Sequence, residues 1–105
     1  MSQKLIIRYS ELKQQVSDCI LVMQVGAFMQ VMNDDAQVVS KVCHIKLQMA
    51  GEPEQPFVFG GFPKSALNKY VGQLVRSGSS VAIAMQDDSK ERHIEEIIRV
   101  QIEKP

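Results

Sequence analysis

Apolar residues recur along this chain with two spacings, one typical of helices and one typical of strands. In three stretches they recur at intervals of three and four, which places them on one side of a helix. The clearest such face consists of Ala66, Leu67, Tyr70, Val71, Leu74 and Val75. The spacing predicts helices over residues 4–16, 33–43 and 65–76. Asn33, Asp34 and Asp35 bring the cap and the negative charge typical of a helix start.

Short apolar runs between these helices indicate strands. We predict strands over residues 19–25, 28–32, 44–47, 57–59, 81–85 and 98–103. The runs at 19–25 and 81–85 are apolar almost throughout, as expected of strands covered on both faces. In the last stretch, apolar and polar residues alternate strictly, which favours a half-exposed strand at or near a sheet edge.

Two segments interrupt the strand pattern. Gly26 separates two extended runs, which indicates a bulge, a bend or a close approach by another backbone. Residues 49–56 contain Pro53, Pro56 and Gly51, and we predict a loop there. Helices alternating with strands give an α/β fold: a mixed β-sheet of about five to six strands flanked by three helices, in a single domain over residues 1–105.

Composition narrows the function classes. Twelve basic and twelve acidic side chains give a formal charge of zero, which argues against a strongly basic nucleic-acid-binding protein. No apolar run reaches the ~18 residues of a membrane span. Cys19 and Cys43 both lie in apolar patterns, as expected of buried thiols in a reducing cytoplasm. We therefore expect a cytoplasmic protein, associated with the nucleoid if it is bacterial.

The residues that carry chemistry do not form a catalytic or metal-binding set. The segment from Gly60 to Ser65 ends in Lys-Ser, but Pro63 stands where a phosphate-binding loop needs glycine. Two Cys and two His at scattered positions are too few for a zinc site. His93 and its acidic neighbours alternate between strand faces, which disfavours a catalytic pair. We expect no enzyme activity, no metal and no cofactor.

Charge is distributed unevenly along the chain. Residues 41–76 contain five basic and two acidic side chains, whereas residues 1–40 contain three and four, and residues 87–105 four and six. The basic middle segment could flank a phosphate backbone, and an ordinary solvated face is the alternative. Phe28 follows Gly26 and Ala27, where a bend could turn its ring outwards; the alternative is a core residue in a strand.

Several short motifs follow one another along the chain in a recognisable order. The first is an apolar strand followed by Gly26-Ala27-Phe28-Met29-Gln30 and an acidic helix start. The later ones are Gly60-Gly61-Phe62-Pro63, Ala66-Leu67-Asn68-Lys69-Tyr70-Val71, Leu74-Val75-Arg76-Ser77-Gly78, Val81-Ala82-Ile83-Ala84-Met85-Gln86 and Ile98-Arg99-Val100. Together they resemble the N-terminal mismatch-recognition domain of the MutS DNA mismatch-repair family, and the resemblance covers residues 9–100. It implies a lone domain of this type, without the ATPase, lever and clamp domains of the family.

The resemblance also implies how such a domain binds DNA. The family uses a Phe-x-Glu motif, in which the Phe wedges into the minor groove at a mispair and the Glu contacts the base. Carried onto this chain, Phe28 is the wedge and Gln30 the base contact. From the basic middle segment we add Lys46, Lys64 and Lys69 as candidate phosphate contacts. The expected partner is double-stranded DNA containing mismatches, bound weakly by the isolated domain, and other mismatch-repair chains are further candidates.

Three departures from the family pattern support an alternative hypothesis. The family has Asp where this chain has Ala27, Glu where it has Gln30, and a basic residue where it has Ala50. A domain that kept the fold but lost mismatch reading would serve as a structural or protein-interaction domain. Met23, Met29, Met32 and Met49 could then form an adaptable apolar contact surface, and the alternative is that they fill the core. The oligomeric state is open in both hypotheses.

Overall fold

The computed structural model describes residues 2–100, in which each of three helices is followed by two strands. The helices are α1 (Gln3–Gln15), α2 (Asn33–Cys43) and α3 (Leu67–Arg76), with a 3-10 turn over Lys64–Ala66 just before α3. The strands are β1 (Ile20–Val25), β2 (Phe28–Met32), β3 (Leu47–Glu52), β4 (Gln55–Pro63), β5 (Val81–Gln86) and β6 (Arg92–Ile98). No helix of the described residues is both long enough and apolar enough to cross a membrane.

The six strands form one mixed sheet in the order β3-β4-β2-β1-β5-β6. Strands β1 and β5 are parallel, and every other neighbouring pair is antiparallel. This confirms the predicted fold class. The two continuously apolar runs are the parallel pair β1 and β5, which lie inside the sheet and are buried along most of their length, because helices cover both faces of the sheet there.

Each face of the sheet has its own core. On one face, α2 and α3 pack over strand residues that include Val22, Val31 and Ile83. On the other face, α1 packs alone, over residues that include Leu21, Met23 and Met32. Because side chains alternate along a strand, β2 sends Met29 and Val31 to the first face, and Phe28, Gln30 and Met32 to the face of α1.

Polar groups also hold α1 on its face of the sheet. The Asp35 carboxylate accepts hydrogen bonds from Lys13 Nζ at 2.9 Å and from the Leu21 N–H at 3.1 Å, and the Tyr9 hydroxyl lies 2.8 Å from it. Burial, and then the Asp35 charge, raise the pKa of Tyr9, so the phenol stays protonated. The expected side-chain cap at the start of α2 is absent, because the cap position is occupied by Met32, which has no side-chain acceptor.

Residues 49–56, predicted to be a loop, are instead a β-hairpin. Strand β3 runs to Glu52 and pairs with Gln55, so that the turn consists only of Pro53 and Glu54. Pro56 is tolerated because β2 pairs with β4 only from Phe59 onwards, so one side of this part of β4 has no partner strand that would need its N–H. Turn residues at a hairpin tip therefore gave the same signal as a loop.

Three other strands differ in their bounds from the predicted ones. The strand expected over residues 57–59 is longer, because β4 pairs with β3 from Gln55 onwards and with β2 as far as Pro63, through the two glycines expected to end it. The strand expected from residue 44 begins only at Leu47, because His44 takes a left-handed conformation (φ 59°) and ends α2. The final strand lies earlier than predicted, over Arg92–Ile98, and it does form a sheet edge. Half of the alternating stretch at 98–103 that led to the prediction, residues 101–103, lies outside the described residues. Both cysteines are buried free thiols, as expected.

We predict that Asp35→Asn lowers the free energy of unfolding by roughly 1–3 kcal/mol, because the buried Leu21 N–H and Lys13 lose a charged acceptor. Asp34→Asn is the matched control, since Asp34 is the exposed neighbour in the same helical turn. Urea denaturation followed by circular dichroism measures both. Equal losses in the two variants would show that the buried network does not stabilise the fold.

Candidate functional site

The candidate site is the tip of the hairpin formed by β1 and β2. Val25 pairs with Phe28, which leaves Gly26 and Ala27 as a two-residue turn. Gly26 has a φ of 61° and Ala27 does not have a positive φ, which is the pattern of a type II′ turn with glycine first. A side chain at Gly26 would meet no atom within 4 Å, so the backbone angle, and not a close approach, requires the glycine.

Two glutamine side chains attach this turn to the neighbouring strand β5. Gln24 Nε2 donates to the Gly26 carbonyl at 3.0 Å, and the Gln24 side-chain oxygen accepts from the Gln86 N–H at 2.8 Å. In return, the Gln86 side-chain oxygen accepts from the Gly26 N–H at 2.8 Å. The turn is therefore held from β1 and β5 together. Nothing in the sequence pattern indicated this pairing, because the two residues lie on strands far apart in the chain.

Phe28 is exposed at the tip of the hairpin. Its side chain is 52% exposed and lies on the face of α1, opposite Pro63 of β4. The Ala27 carbonyl accepts a hydrogen bond from the Lys64 N–H at 2.8 Å. A shallow, mainly apolar depression is lined by Ala27, Phe28, Pro63, Lys64 and Ser65. The alternative reading of Phe28 as a core residue is therefore wrong, and its ring is available for contact.

Gln30 lies two residues beyond Phe28 on the same face of the sheet. It pairs with Gly61 of β4, where a Cβ atom would come within 2.8 Å of the Met29 carbonyl oxygen and 3.5 Å of the Gln30 amide. Glycine thus lets β4 approach β2 closely beside this side chain. Gln30 Oε1 is buried and has no hydrogen-bond partner within residues 2–100. A buried acceptor without a donor lowers the stability of a fold by about 1–3 kcal/mol, so a ligand that supplied a donor to Oε1 would gain this free energy.

The structure brings one of the three candidate lysines to this site. Lys64 lines the same depression as Phe28. Lys69 lies in the first turn of α3, which covers the opposite face, and its Nζ is 5.5 Å from the centre of the Tyr70 ring. Lys46 immediately precedes β3, which is two strands away from β2. Lys46 and Lys69 are both exposed.

The proposed methionine contact surface does not exist as predicted. Met23, Met29 and Met32 are buried in the two cores, and only Met49, 71% exposed, is available to a partner. Strand alternation puts Met23 and Met32 under α1 and Met29 under the other two helices. Within residues 2–100, no three His, Cys, Asp or Glu side chains lie close enough to hold a metal ion.

A family model and individual relatives both match this chain to the same family. A family model described as MutS domain I matches residues 3–104. The chain is 39% identical over 83 residues to the DNA mismatch repair protein MutS of Porphyromonas gingivalis, covering 78% of this chain and 9% of that protein. It is 36% identical over 100 residues to MutS of Thermotoga petrophila, covering 91% of this chain and 12% of that protein. The chain thus spans about a tenth of the length of these relatives.

We predict that Gln86→Ala speeds amide hydrogen exchange at Gly26 by roughly fivefold, the equivalent of losing one hydrogen bond of about 1 kcal/mol. Gln48→Ala is the control, since Gln48 is an exposed glutamine on the remote edge strand β3. Exchange rates measured by NMR test the prediction. An unchanged Gly26 rate in Gln86→Ala would mean that the side chain does not hold the turn.

Proposed function

The chain belongs to the MutS family through its domain I, and on this premise we propose that it is a mismatched-DNA-binding module with a role in DNA mismatch repair. In this proposal Phe28 wedges into the minor groove at a mispair and stacks on one of the bases. Gln30 contacts the same base. The proposal gives the domain a binding role and no catalytic step.

The observation that carries the proposal is that Phe28 and Gln30 lie side by side on one face of β2. A large aromatic ring stands 52% exposed at a turn held by hydrogen bonds, and two residues further along the same face is a buried acceptor without a donor. Aromatic rings stack on bases regardless of sequence, which is worth about 1–3 kcal/mol per base. A ring and an adjacent amide are what an unstacked base requires for stacking and hydrogen bonding.

Selectivity for a mispair follows from the mechanics of DNA. An intercalating wedge must unstack a base step and kink the duplex, which costs a few kcal/mol. A mispair has already lost part of its pairing energy, so the same deformation costs less there than in a matched duplex. The wedge therefore discriminates through deformability and needs little direct reading of bases.

Gln30 modifies this contact because the side chain is uncharged. An amide both donates and accepts, so once the side chain turns its buried Oε1 outwards, Oε1 receives a base N–H while Nε2 donates to a base acceptor. The amide also exerts no repulsion on nearby phosphates, unlike a carboxylate. An uncharged residue 30 therefore raises the affinity for any duplex, and it reduces the difference between the affinities for mispaired and matched DNA.

The lysines contribute phosphate contacts at different distances from the wedge. Lys64 is the nearest, since it shares a surface depression with Phe28. Lys46 and Lys69 are more peripheral contacts in the proposal, because both belong to other parts of the fold. With a formal charge of zero, the domain alone is expected to bind in the ~10⁻⁴–10⁻⁶ M range of non-specific contacts. Other mismatch-repair chains are proposed as further partners.

The alternative function, a protein-interaction domain that lost mismatch reading, has less support. Its methionine surface is mostly buried, and Ala50 lies in strand β3 at a distance from the hairpin tip. The apolar residues exposed on the edge strand, Leu47 and Met49, are what favours it.

We predict that Phe28→Ala removes the preference for a duplex with a central G·T mispair over its matched twin. The expected loss is roughly 5- to 100-fold in the ratio of the two affinities, equivalent to one stacked base. Fluorescence anisotropy with labelled duplexes measures both affinities at low salt. Met49→Ala, an exposed apolar residue on β3, is the matched control and should keep the ratio. An unchanged ratio in Phe28→Ala would refute the wedge.

We further predict that Gln30→Glu weakens binding to matched duplex about fivefold, since a unit charge some 4 Å from a phosphate costs about 1 kcal/mol in water. Binding to the mispaired duplex should weaken less, because the base contact offsets part of the repulsion, so the ratio rises. Glu52→Gln, an exposed change of opposite sign on β3, controls for net charge. Equal weakening for both duplexes would mean that residue 30 touches no base.

A further inference from the structure

A second surface near the hairpin tip gathers basic side chains that lie far apart in the sequence. It is a groove of about 770 Å³ between the first half of α1 and the turn that joins β5 to β6. Its charged lining consists of Lys4, Arg8, Lys90 and Arg92, with Glu11 and Glu91. Four positive and two negative groups thus meet in a chain whose formal charge is zero. We call this surface the basic groove.

The two arginines build the groove, and the two lysines are available to a ligand. Arg8 donates to Glu11 at 3.4 Å and to the Arg92 carbonyl, while Arg92 Nε donates to the Gln24 carbonyl at 2.6 Å. Lys4 and Lys90 are exposed, and neither forms an ion pair with an acidic side chain of residues 2–100. The positive end of the α1 dipole adds to their potential.

The basic groove lies on the same face and at the same end of the sheet as Phe28. Helix α1 packs on the face to which β2 sends Phe28 and Gln30. Arg92 contacts Gln24, which in turn holds the Gly26 turn, so the groove and the hairpin tip are joined by direct contacts. From β2 to β6 there are three strand spacings, or about 14 Å. That distance corresponds to about four phosphates along one DNA strand.

Of the acidic residues of the β5–β6 turn, only Glu91 lines the groove. Asp87 and Asp88 begin this turn, but neither is among the lining residues. The Asp87 carboxylate accepts hydrogen bonds from the Ser89 hydroxyl and from the backbone N–H of Glu91, and it lies 3.0 Å from His93 Nε2. The Ser89 hydrogen bond is the main reason that the pKa of Asp87 falls to about 2. Its hydrogen-bond partners thus all belong to the turn and the start of β6.

We propose that the basic groove is a second DNA contact, in which Lys4 and Lys90 bind backbone phosphates on the side of Phe28 away from Lys64. This inference rests on the proposed function, because the wedge sets where the duplex lies. Phosphate contacts fix register and orientation and carry no sequence information. The groove therefore adds affinity equally for matched and mispaired duplex. Together with Lys64, it holds the DNA on both sides of the wedge.

The test compares two double variants that remove the same net charge. Lys4→Gln/Lys90→Gln removes the two exposed lysine charges from the basic groove. Lys41→Gln/Arg76→Gln removes two exposed charges from α2 and α3 on the opposite face. Anisotropy titrations over a series of salt concentrations give the slope of log affinity against log salt for each. The groove variant should lower that slope by about 2, since each phosphate contact contributes about 0.9. The control should keep the slope of the wild type.

The outcomes separate this inference from the proposed function. An unchanged slope in the groove variant, or equal losses in both doubles, overturns the groove as a phosphate contact. The ratio of mispaired to matched affinity should stay the same in the groove variant, whereas Phe28→Ala should change the ratio and keep the slope. If the wild type shows no preference for the mispaired duplex, but the groove variant still shows the expected loss of slope, then the wedge is refuted and the groove stands. NMR amide shifts of Lys90 and Glu91 on titration with matched duplex give an independent readout, and their absence would overturn the inference.

Discussion

The double burial of β1 is the constraint on which the rest of the structure depends. This strand pairs with β2 on one side and in parallel with β5 on the other, and helices cover both of its faces. Its apolar side chains can be buried on both faces only at that position in the sheet. The register of β2 then follows from the short turn at Gly26. Because the turn is short, Phe28 must stand at the end of the sheet, where the cover of helices is incomplete.

The same geometry explains why an exposed aromatic ring is compatible with a stable domain. Phe28 lies at the end of a strand whose next apolar residues, Met29 and Val31, are fully buried. The hydrogen bonds of Gln24 and Gln86 hold the turn without using the ring. The stability of the hairpin therefore comes from its core residues, its backbone and these two glutamines, and it does not require burial of the Phe28 ring.

Local pattern was a reliable guide wherever burial set the pattern. The runs at 19–25 and 81–85 became the central strands, because a strand covered on both faces must be apolar throughout. Pattern failed at the edge, where residues 49–56 form a hairpin that is mostly exposed. An exposed hairpin needs few apolar residues, so Pro53, Pro56 and Gly51 resemble a loop. Similarity to the family supplied Phe28 and Gln30, which no periodicity singles out.

The sequence by itself determined the class of fold, the central strands and the residues at the hairpin tip, because each depends on neighbours along the chain. Only the tertiary structure brought Gln24 to Gln86, and Lys4 and Arg8 to Lys90 and Arg92. Counted by segment, residues 1–40 and 87–105 are both acidic, and their basic side chains meet because α1 lies over β1, β5 and β6. Electrostatic potential depends on distance in space, so a surface charge becomes visible only once distant strands have paired.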